Sequence, residues 1–246
     1  MPPSSLQLSL ILPIYNEENA VGRTLDELIP FAETKPEWEF VIVDDGSLDR
    51  TPALIAARLS APGAPANVHL LALTANGGKG NAVRAGFSQA KGERLCFTDG
   101  DLPYSLDQVL HLGATLAEFD VVIGSRNLPD SKNEGVVLRR QLLGGGFNRL
   151  VRLFMGIPHR DTQAGLKGFR REVGRKLFEK MRIGGFSFDV ELLYLAKKYG
   201  HRVGEIPVRV SSAHSYKTSK LKLIRDSLRM FLGLVQIRFN DVAGKY

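Results

Sequence analysis

Two short acidic clusters each follow an apolar run of the kind that forms a buried strand. Asp44 and Asp45 come after Phe40–Val43, and Asp99-Gly100-Asp101 comes after Leu95–Thr98. Because the carboxyl ends of parallel strands line one edge of an open α/β sheet, the four carboxylates are expected to converge at that edge. Like charges so close together need a balancing cation, and hard oxygen ligands suit Mg²⁺ or Mn²⁺ carried with a diphosphate.

Asp99 and Asp101 have the spacing at which alternate residues of an extended chain point the same way. One of these carboxylates could then bind a metal ion while the other holds a sugar or a metal-bound water. Asp44 has a second explanation, because Asp-Gly-Ser sequences often form a side-chain turn and cap the next helix. For either cluster alone, this local explanation stands beside the functional one.

Two further loops also follow the carboxyl ends of predicted strands. Pro13-Ile14-Tyr15-Asn16-Glu17-Glu18 offers an aromatic face for a base and carboxylates for ribose hydroxyls, or it is simply an acidic helix N-terminus. Asn76-Gly77-Gly78-Lys79-Gly80 offers flexible backbone and one lysine. It matches neither the P-loop nor the Gly-x-Gly-x-x-Gly pattern, which weakens a dinucleotide interpretation.

The elements that must position these loops are predicted from the alternation of short β-branched runs with helical patterns. This alternation favours one α/β domain, a parallel sheet flanked by helices. The helical spacing begins at Val21, and a helix after Ser105 carries Gln108 in the capping-box position. The predicted strands are Leu8–Ile14, Glu39–Val43, Val68–Leu73, Arg94–Thr98, Asp120–Gly124 and one near Val203–Val210. Further helices are predicted at Thr51–Leu59, Ala82–Gln89, Phe147–Met155, Glu172–Lys180 and Val190–Tyr199.

Composition limits the classes of protein. The 246 residues are 43% hydrophobic and 24% charged, which excludes disordered and fibrous chains. The formal charge of +7 suggests a polyanionic partner, either a nucleic acid, a phosphorylated ligand or an anionic membrane. The single cysteine, Cys96, cannot form an internal disulfide, and no basic region precedes the apolar run at Leu8. We therefore expect a cytoplasmic protein without a membrane span or a signal peptide.

In order and spacing, the motifs resemble those of the inverting family-2 glycosyltransferases of the GT-A fold. The resemblance rests on Pro13-x-Tyr15-Asn16-Glu17-Glu18, Val43-Asp44-Asp45-Gly46-Ser47, Gly78-Lys79-Gly80-Asn81-Ala82 and Asp99-x-Asp101. It implies that Asp99 and Asp101 bind Mg²⁺ or Mn²⁺, with Asp101 also catalytic. The residues implied to bind the nucleotide sugar are Pro13, Tyr15, Glu17, Asp44, Asp45, Lys79, Gly80 and Asp99.

Later motifs are similar to those of enzymes that transfer hexoses to dolichyl phosphate, the mannose synthases and the β-glucosyltransferases. These motifs are Gly124-Ser125-Arg126, Arg139-Arg140, Asp161-Thr162-Gln163-x-Gly165-x-Lys167-x-Phe169-Arg170 and Ser219-Lys220. The resemblance implies UDP-glucose as donor, with GDP-mannose as the alternative. The chain departs from the mannose synthases at Gly100, where they have Ala, and at Pro103, where they have Gln. Because the Gln-x-x-Arg-Trp motif is missing, polymer synthesis is disfavoured.

A phosphate acceptor suits this set of residues. A phosphomonoester has its second pKa near 6, so it is already ionised and can attack the sugar without a general base. It needs cations opposite the leaving group, and guanidinium groups suit phosphate well. A hydroxyl acceptor would need a base such as Asp189, which is the alternative catalytic residue beside Arg126. The candidate acceptor ligands are Arg126, Arg139, Arg140, Arg170, Ser219 and Lys220.

The chain is expected to form one glycosyltransferase domain. Residues 1–125 would bind the nucleotide sugar, residues 126–220 the acceptor, and residues 221–240 would form an amphipathic helix at an anionic membrane surface or packed on the core. The protein would then be peripheral, on the cytoplasmic face of the membrane. A nucleotidyltransferase would need a Gly-rich N-terminal loop, and a nucleic-acid-binding module would need a recognition signature that the sequence lacks. A binding protein without activity is the third alternative.

Overall fold

A seven-stranded mixed sheet forms the centre of the molecule. The computed structural model describes residues 6–133, 148–149, 151–211 and 223–246. Its strand order is β3-β2-β1-β4-β7-β5-β8, and only β7 runs against its neighbours. The strands are β1 Leu8–Ile14, β2 Trp38–Asp44, β3 Val68–Ala72, β4 Arg94–Phe97, β5 Val121–Ser125, β7 Lys167–Arg170 and β8 Val203–Pro207. β6 Lys132–Asn133 and β9 Arg209–Val210 form a separate parallel pair.

Helices cover both faces of the sheet. In the described part of the chain they are α1 Val21–Glu33, α2 Thr51–Leu59, α3 Lys79–Gln89, α4 Leu106–Thr115, α5 Arg171–Lys180, α6 Phe188–Lys198 and α7 Leu223–Val242, and residues 151–155 are also helical. Alternate residues of a strand pack into the hydrophobic cores on opposite faces of the sheet. Ile11 belongs to the core beneath α3, α5, α6 and α7. Its neighbours Leu10 and Leu12 join the cluster under α1, α2 and α4. The expected α/β domain with a mostly parallel sheet is therefore confirmed.

Three details differ from the predictions. β7 was not predicted, because it has only four residues and contains both a lysine and Gly168. The strand predicted over Val203–Val210 is divided into β8 and β9, with Val208 between them. The capping box at Ser105 is not formed, because Gln108 uses its amide to bond the backbone N–H and carbonyl of Arg209 at 2.6 and 2.9 Å. Gln108 thus connects α4 to β9.

The C-terminal helix is amphipathic, as expected, and packs partly on the core. Leu234 and Ile237 are fully buried in the cluster beneath α6. Leu232 and Phe239 on the same helix are 56% and 64% exposed. Among the described residues, no helix is both long enough and apolar enough to cross a bilayer.

Candidate active site

Several loops meet at the carboxyl edge of the sheet. β1, β2 and β4 are parallel neighbours, with Ile14 aligned with Asp44 and Ile11 with Phe97. Asp99 therefore lies at this edge of the sheet, two residues after the end of β4. β7 runs in the opposite direction and begins at the same edge, where Lys167 pairs with Phe97. The chain segment before β7 is thereby brought to the predicted metal site.

Asp44 forms a local turn. Its carboxylate accepts hydrogen bonds from the backbone N–H and the hydroxyl of Ser47, at 3.1 and 2.5 Å. The Ser47 hydroxyl in turn accepts the backbone N–H of Asn16 at 2.9 Å, which fastens the loop after β1 to the loop after β2. The turn predicted as the alternative for Asp44 is present, but it does not cap α2, because the first backbone N–H of that helix, from Thr51, donates to Asp49 at 3.0 Å.

Among the residues predicted to bind the donor, Tyr15 and Glu17 lie in this loop after β1, and Pro13 lies at the end of β1 itself. Tyr15 is 38% exposed, so its ring is accessible to a ligand. The backbone N–H of Glu17 donates to the Thr51 hydroxyl at 2.8 Å. Pro13 is half-buried, and its carbonyl lies against Gly100. The loop after β1 is consequently packed directly on the Asp99–Asp101 turn.

Asp45 shapes the glycine-rich loop before α3. Its carboxylate accepts the backbone N–H groups of Gly77 and Gly78 at 2.9 and 2.8 Å, and the Asn76 amide at 2.9 Å. Gly78 has φ +89°, a backbone conformation that favours glycine. These bonds place Lys79 at the first turn of α3.

Gly80 fixes the start of α3 through packing. Its N–H donates to the Gly184 carbonyl at 2.8 Å. A Cβ at this position would lie 2.8 Å from the Phe188 side chain. Gly80 was predicted to bind the nucleotide sugar, and its N–H is already bonded within the protein.

Lys79 follows the loop that Asp45 binds, and its own side chain pairs with Asp99. Its ammonium lies 2.5 Å from Asp99 Oδ1 and within 6 Å of the centroids of the Phe97 and Phe188 rings. Burial lowers the pKa of Lys79, but the Asp99 and Asp189 carboxylates outweigh burial and raise it above its ordinary value. Lys79 is thus a firmly protonated partner of the predicted metal ligand.

The expectation that four carboxylates converge is wrong. Asp44 and Asp45 are engaged in their own loops, and within the described ranges no group of three or more His, Cys, Asp or Glu side chains could hold a metal ion. Lys79 already balances the negative charge of Asp99, so the acidic side chains do not require a shared cation. Asp99 and Asp101 remain as two carboxylates on one turn, and Asp101 is half-buried.

This pair still fits a cation that brings its own ligands. Mg²⁺ commonly binds one or two protein carboxylates together with substrate phosphates. Gly165 leaves space at the site, because a Cβ there would lie 2.0 Å from Asp99 Oδ2. Gly100 is equally constrained, since its Cβ would lie 2.5 Å from the Pro13 carbonyl oxygen. This contact explains why glycine occupies the central position of the Asp-x-Asp triplet here.

Arg126 is held at the site by a residue to which the sequence analysis gave no separate role. Asp161, which is 2% exposed, accepts the Arg126 Nε at 2.7 Å, its Nη2 at 3.0 Å and its backbone N–H at 3.0 Å. Burial lowers the pKa of Arg126, but the hydrogen bond and charge of Asp161, together with the charge of Asp99, hold it well above its ordinary value. Arg126 is therefore a fixed cation close to Asp99.

Tyr104 is a neighbour of Arg126, Asp99 and Asp161, and the sequence did not predict it as a site residue. It is 2% exposed, and burial, together with the charges of Asp99 and Asp161, raises its pKa to about 12 despite the opposing charge of Arg126. Asp161 begins one of the motifs named above, and Tyr104 follows the Asp99-x-Asp101 motif by three residues. Their closeness to these motifs was the only sign in the sequence that they belong to the site. Tyr104 therefore remains a neutral hydroxyl that Arg126 and Asp99 both influence electrostatically.

Asp189 is paired with a fully buried lysine. Lys167 Nζ lies 2.7 Å from Asp189 Oδ1 and 2.6 Å from the Ala164 carbonyl. Glu191, two residues further along α6, accepts the backbone N–H groups of Arg182 and Ile183 at 2.9 and 2.8 Å. Both carboxylates of α6 are therefore used within the protein.

The predicted acceptor ligands are separated. Arg170 is aligned with Arg94 at the opposite edge of the sheet, and its guanidinium donates to the carbonyls of Leu116 and Ala117 at 3.0 and 2.7 Å. Its assignment to the acceptor phosphate is corrected, because β7 is antiparallel and carries Arg170 away from Asp99. Arg126 is at the site. Arg139, Arg140, Ser219 and Lys220 lie outside the described residues.

Comparison with known proteins adds independent findings. Residues 9–178 match the family model described as glycosyl transferase family 2. The chain is 37% identical over 221 residues to the dolichyl-phosphate beta-glucosyltransferase of Drosophila melanogaster, covering 83% of this chain and 67% of the relative. It is 30% identical over 256 residues to the enzyme of the same name from Homo sapiens, covering 98% and 77%.

A solved structure has a related fold. Glucosyl-3-phosphoglycerate synthase from Mycobacterium tuberculosis, in complex with Mn²⁺, UDP and glucosyl-3-phosphoglycerate, superposes with a TM-score of 0.63. The two chains are 16% identical, and the match covers 94% of this chain and 79% of the other. At this identity the likeness concerns the fold alone.

Proposed function

The chain belongs to glycosyl transferase family 2 and is a hexosyltransferase, and we propose that it transfers glucose from UDP-glucose to a dolichyl or polyprenyl phosphate. The acceptor phosphate oxygen attacks the anomeric carbon, and UDP leaves from the opposite face. Two relatives at 30% and 37% identity bear the name dolichyl-phosphate beta-glucosyltransferase, which supports glucose as the sugar and dolichyl phosphate as the acceptor. GDP-mannose is the alternative donor.

The observation that carries the proposal is the fixed guanidinium of Arg126 beside Asp99. Asp161 holds Arg126 in a two-pronged ion pair, which orients its remaining N–H groups. A phosphate monoester is an anion that needs such a cation and needs no proton removed before it attacks. Arg126 therefore orients the acceptor phosphate, and Asp189 is not required as a base because Lys167 already neutralises it.

The donor is bound by the loops after β1, β2 and β3. Tyr15 contacts the base, Glu17 binds ribose, and Lys79 faces the diphosphate. Asp44 and Asp45 support the donor by shaping their loops. Asp99 and Asp101 hold Mg²⁺ or Mn²⁺, which when bound neutralises charge on the departing diphosphate. Residues 1–125 form the donor half of the domain, and residues 126–220 form the acceptor half.

The lipid acceptor requires access to a membrane surface. α7 exposes Phe231, Leu232, Val235 and Phe239 while it buries Leu234 and Ile237. An apolar face of this kind suits the headgroup boundary of a bilayer. The protein is peripheral, on the cytoplasmic face of an anionic membrane, and α7 contributes to the contact.

The proposal is tested by incubating the protein with radiolabelled UDP-glucose or GDP-mannose and either polyprenyl phosphate or the unphosphorylated polyprenol. We expect lipid-linked glucose only with UDP-glucose and the phosphate, and loss of the product in EDTA. Arg126→Lys should retain part of the activity, because it keeps the positive charge without the two-pronged geometry, and Arg126→Gln should lose about a hundredfold, because the charge is lost as well. Transfer to the polyprenol would contradict the phosphate acceptor.

A further inference from the structure

We propose that Lys79 is an exchangeable counter-ion, bound to Asp99 in the empty site, displaced by a divalent cation, and then transferred to the donor diphosphate. This inference rests on the proposed function, since it concerns how the same site accepts its metal and its donor. It assigns Lys79 two positions in place of the single donor contact suggested by the sequence.

The ion pair occupies one of the two oxygens through which Asp99 would bind a metal ion. Lys79 Nζ lies 2.5 Å from Asp99 Oδ1, and the two side chains are 19% and 34% exposed. An ammonium group and a divalent cation repel each other, so both cannot bind this oxygen at contact distance. A cation arriving alone must therefore break an ion pair that is largely shielded from water.

The backbone of Lys79 is fixed while its side chain can swing. Asp45 holds the N–H of Gly78, and the Gly184 carbonyl holds the N–H of Gly80, so the residues on both sides of Lys79 are anchored. The lysine side chain has four carbons and a freely rotating ammonium group. Release from Asp99 therefore needs rotation about side-chain bonds and no change in the loop.

The displaced ammonium has a second set of anions available. Asp189 already acts on it electrostatically, although Asp189 is itself bonded to Lys167. Lys79 is also the first residue of α3, at the positive end of the helix dipole, where a phosphate group is favoured. An incoming diphosphate thus compensates for the contact that Lys79 loses at Asp99. The site would then bind the cation poorly alone and well together with the nucleotide.

The test measures Mn²⁺ binding by electron paramagnetic resonance, without any sugar transfer. Lys79→Met removes the ammonium group but keeps the length of the side chain, and it should bind Mn²⁺ about tenfold more tightly than the native protein in the absence of nucleotide. With saturating Mn²⁺, the same variant should bind UDP about fivefold more weakly, because the diphosphate loses its cation. The two effects have opposite signs, which a general loosening of the site would not produce.

Three further variants define the outcome. Lys91→Met, at an exposed lysine, removes one charge elsewhere and should leave both affinities unchanged. Lys79→Arg keeps the charge and should bind Mn²⁺ as weakly as the native protein. Asp99→Asn combined with Lys79→Met should lose the gain. Unchanged or weaker Mn²⁺ binding by Lys79→Met, or no Mn²⁺ binding by any variant, overturns the proposal.

These readouts separate the two proposals. A protein that fails to transfer glucose to polyprenyl phosphate can still show the opposite effects on Mn²⁺ and UDP. A protein that makes the glycolipid can equally fail to show them. Circular dichroism of each variant identifies loss of folding, and Lys79→Gln, which also removes the charge, replaces Lys79→Met in both measurements if Lys79→Met does not fold.

Discussion

Charged side chains at the site occur as pairs of opposite sign, of which the Lys79–Asp99 pair is the one proposed to exchange. Lys79 pairs with Asp99, Lys167 with Asp189 and Arg126 with Asp161, and each pair includes at least one side chain that is mostly shielded from solvent. A buried charge without its partner is strongly unfavourable, so each pair fixes both of its members. The arrangement around Asp99 therefore depends on neighbours as much as on the carboxylate itself.

Gly165 gives a direct test of this dependence. In Gly165→Ala the new methyl group would collide with the Asp99 carboxylate, since the Cβ position lies 2.0 Å from Oδ2. We expect kcat/KM for UDP-glucose to fall about a hundredfold, because the displaced carboxylate no longer meets the metal correctly. Gly185→Ala is the matched control, since a Cβ there meets nothing within 4 Å. Equal activity of the two variants would contradict the assignment of Asp99.

Asp161 should give the protein a specific dependence of stability on pH. Burial raises the pKa of this carboxyl, but the hydrogen bonds and charge of Arg126 lower it below its ordinary value. The ion pair therefore stabilises the native state above about pH 4, and this contribution is lost as the pH falls through the lower native-state pKa.

We expect Asp161→Asn to lower the free energy of unfolding at pH 7 by about 3 kcal/mol, since Arg126 loses its partner. The difference between variant and native protein should shrink as the pH is lowered from 5 to 3. Urea titrations at several pH values measure both effects. A difference that is constant over this range would contradict the pairing.

At this scale the sequence predicted residue types better than it predicted contacts. Asp99 and Arg126 were identified from their motifs, and both lie at the site. Arg170 was assigned to the same place because it ends the motif that begins at Asp161, yet it lies at the other edge of the sheet. The sequence alone also gave no sign that Lys79 pairs with Asp99, because that contact joins loops twenty residues apart.

Among the elements, the loop between α5 and α6 supports the start of α3. Glu191 holds the N–H groups of Arg182 and Ile183, and the carbonyl of Gly184 then holds the N–H of Gly80. The hydroxyl of Tyr246 also donates to Glu191, so the end of the chain is bonded to this same carboxylate. The position of Lys79 thus depends on α6 as well as on its own loop.

Glu191→Ala should loosen this support. It leaves two backbone N–H groups without their acceptor, and we expect the free energy of unfolding to fall by about 3 kcal/mol and KM for UDP-glucose to rise about tenfold. Tyr246→Phe is the control, because it removes the bonds of the Tyr246 hydroxyl to Glu191 and Asn240 and retains the two backbone N–H bonds to Glu191. Chemical denaturation and steady-state kinetics measure these effects. A variant that is destabilised with unchanged KM would show that the loop does not act on the donor site.

The parallel strands could be predicted because each is a short β-branched run followed by a helical pattern. α2 was predicted with its observed bounds, Thr51–Leu59. β7 could not be found in this way, since a fully buried lysine and Gly168 replace the usual apolar residues. Gly168 is required by packing, because a Cβ there would lie 2.3 Å from the Leu112 side chain.

On the scale of the whole molecule, α7 should determine attachment to membranes. We expect the protein to sediment with vesicles that contain anionic lipid, and less so as salt is raised, because the protein carries a formal charge of +7. Replacing Leu232 and Phe239 by serine should weaken sedimentation about tenfold, since both side chains are largely exposed.

Two observations check this interpretation. Leu48→Ser, at a side chain that is 89% exposed on the loop after β2, is the matched control and should sediment like the native protein. The double variant at Leu232 and Phe239 should keep its UDP affinity, because these residues lie outside the donor loops. Equal sedimentation of native protein with anionic and neutral vesicles would contradict the electrostatic part.

The reversed direction of β7 has a consequence for inherited variation in this stretch of chain. Residues 161–167 approach the carboxyl edge of the sheet, whereas Arg170 lies at the far edge beside Arg94. Substitutions at the two ends of one short motif should therefore produce two distinct phenotypes. Substitutions at Gly165, beside Asp99, should reduce turnover in a protein of normal abundance, and substitutions at Arg170 should reduce abundance while each surviving molecule still works.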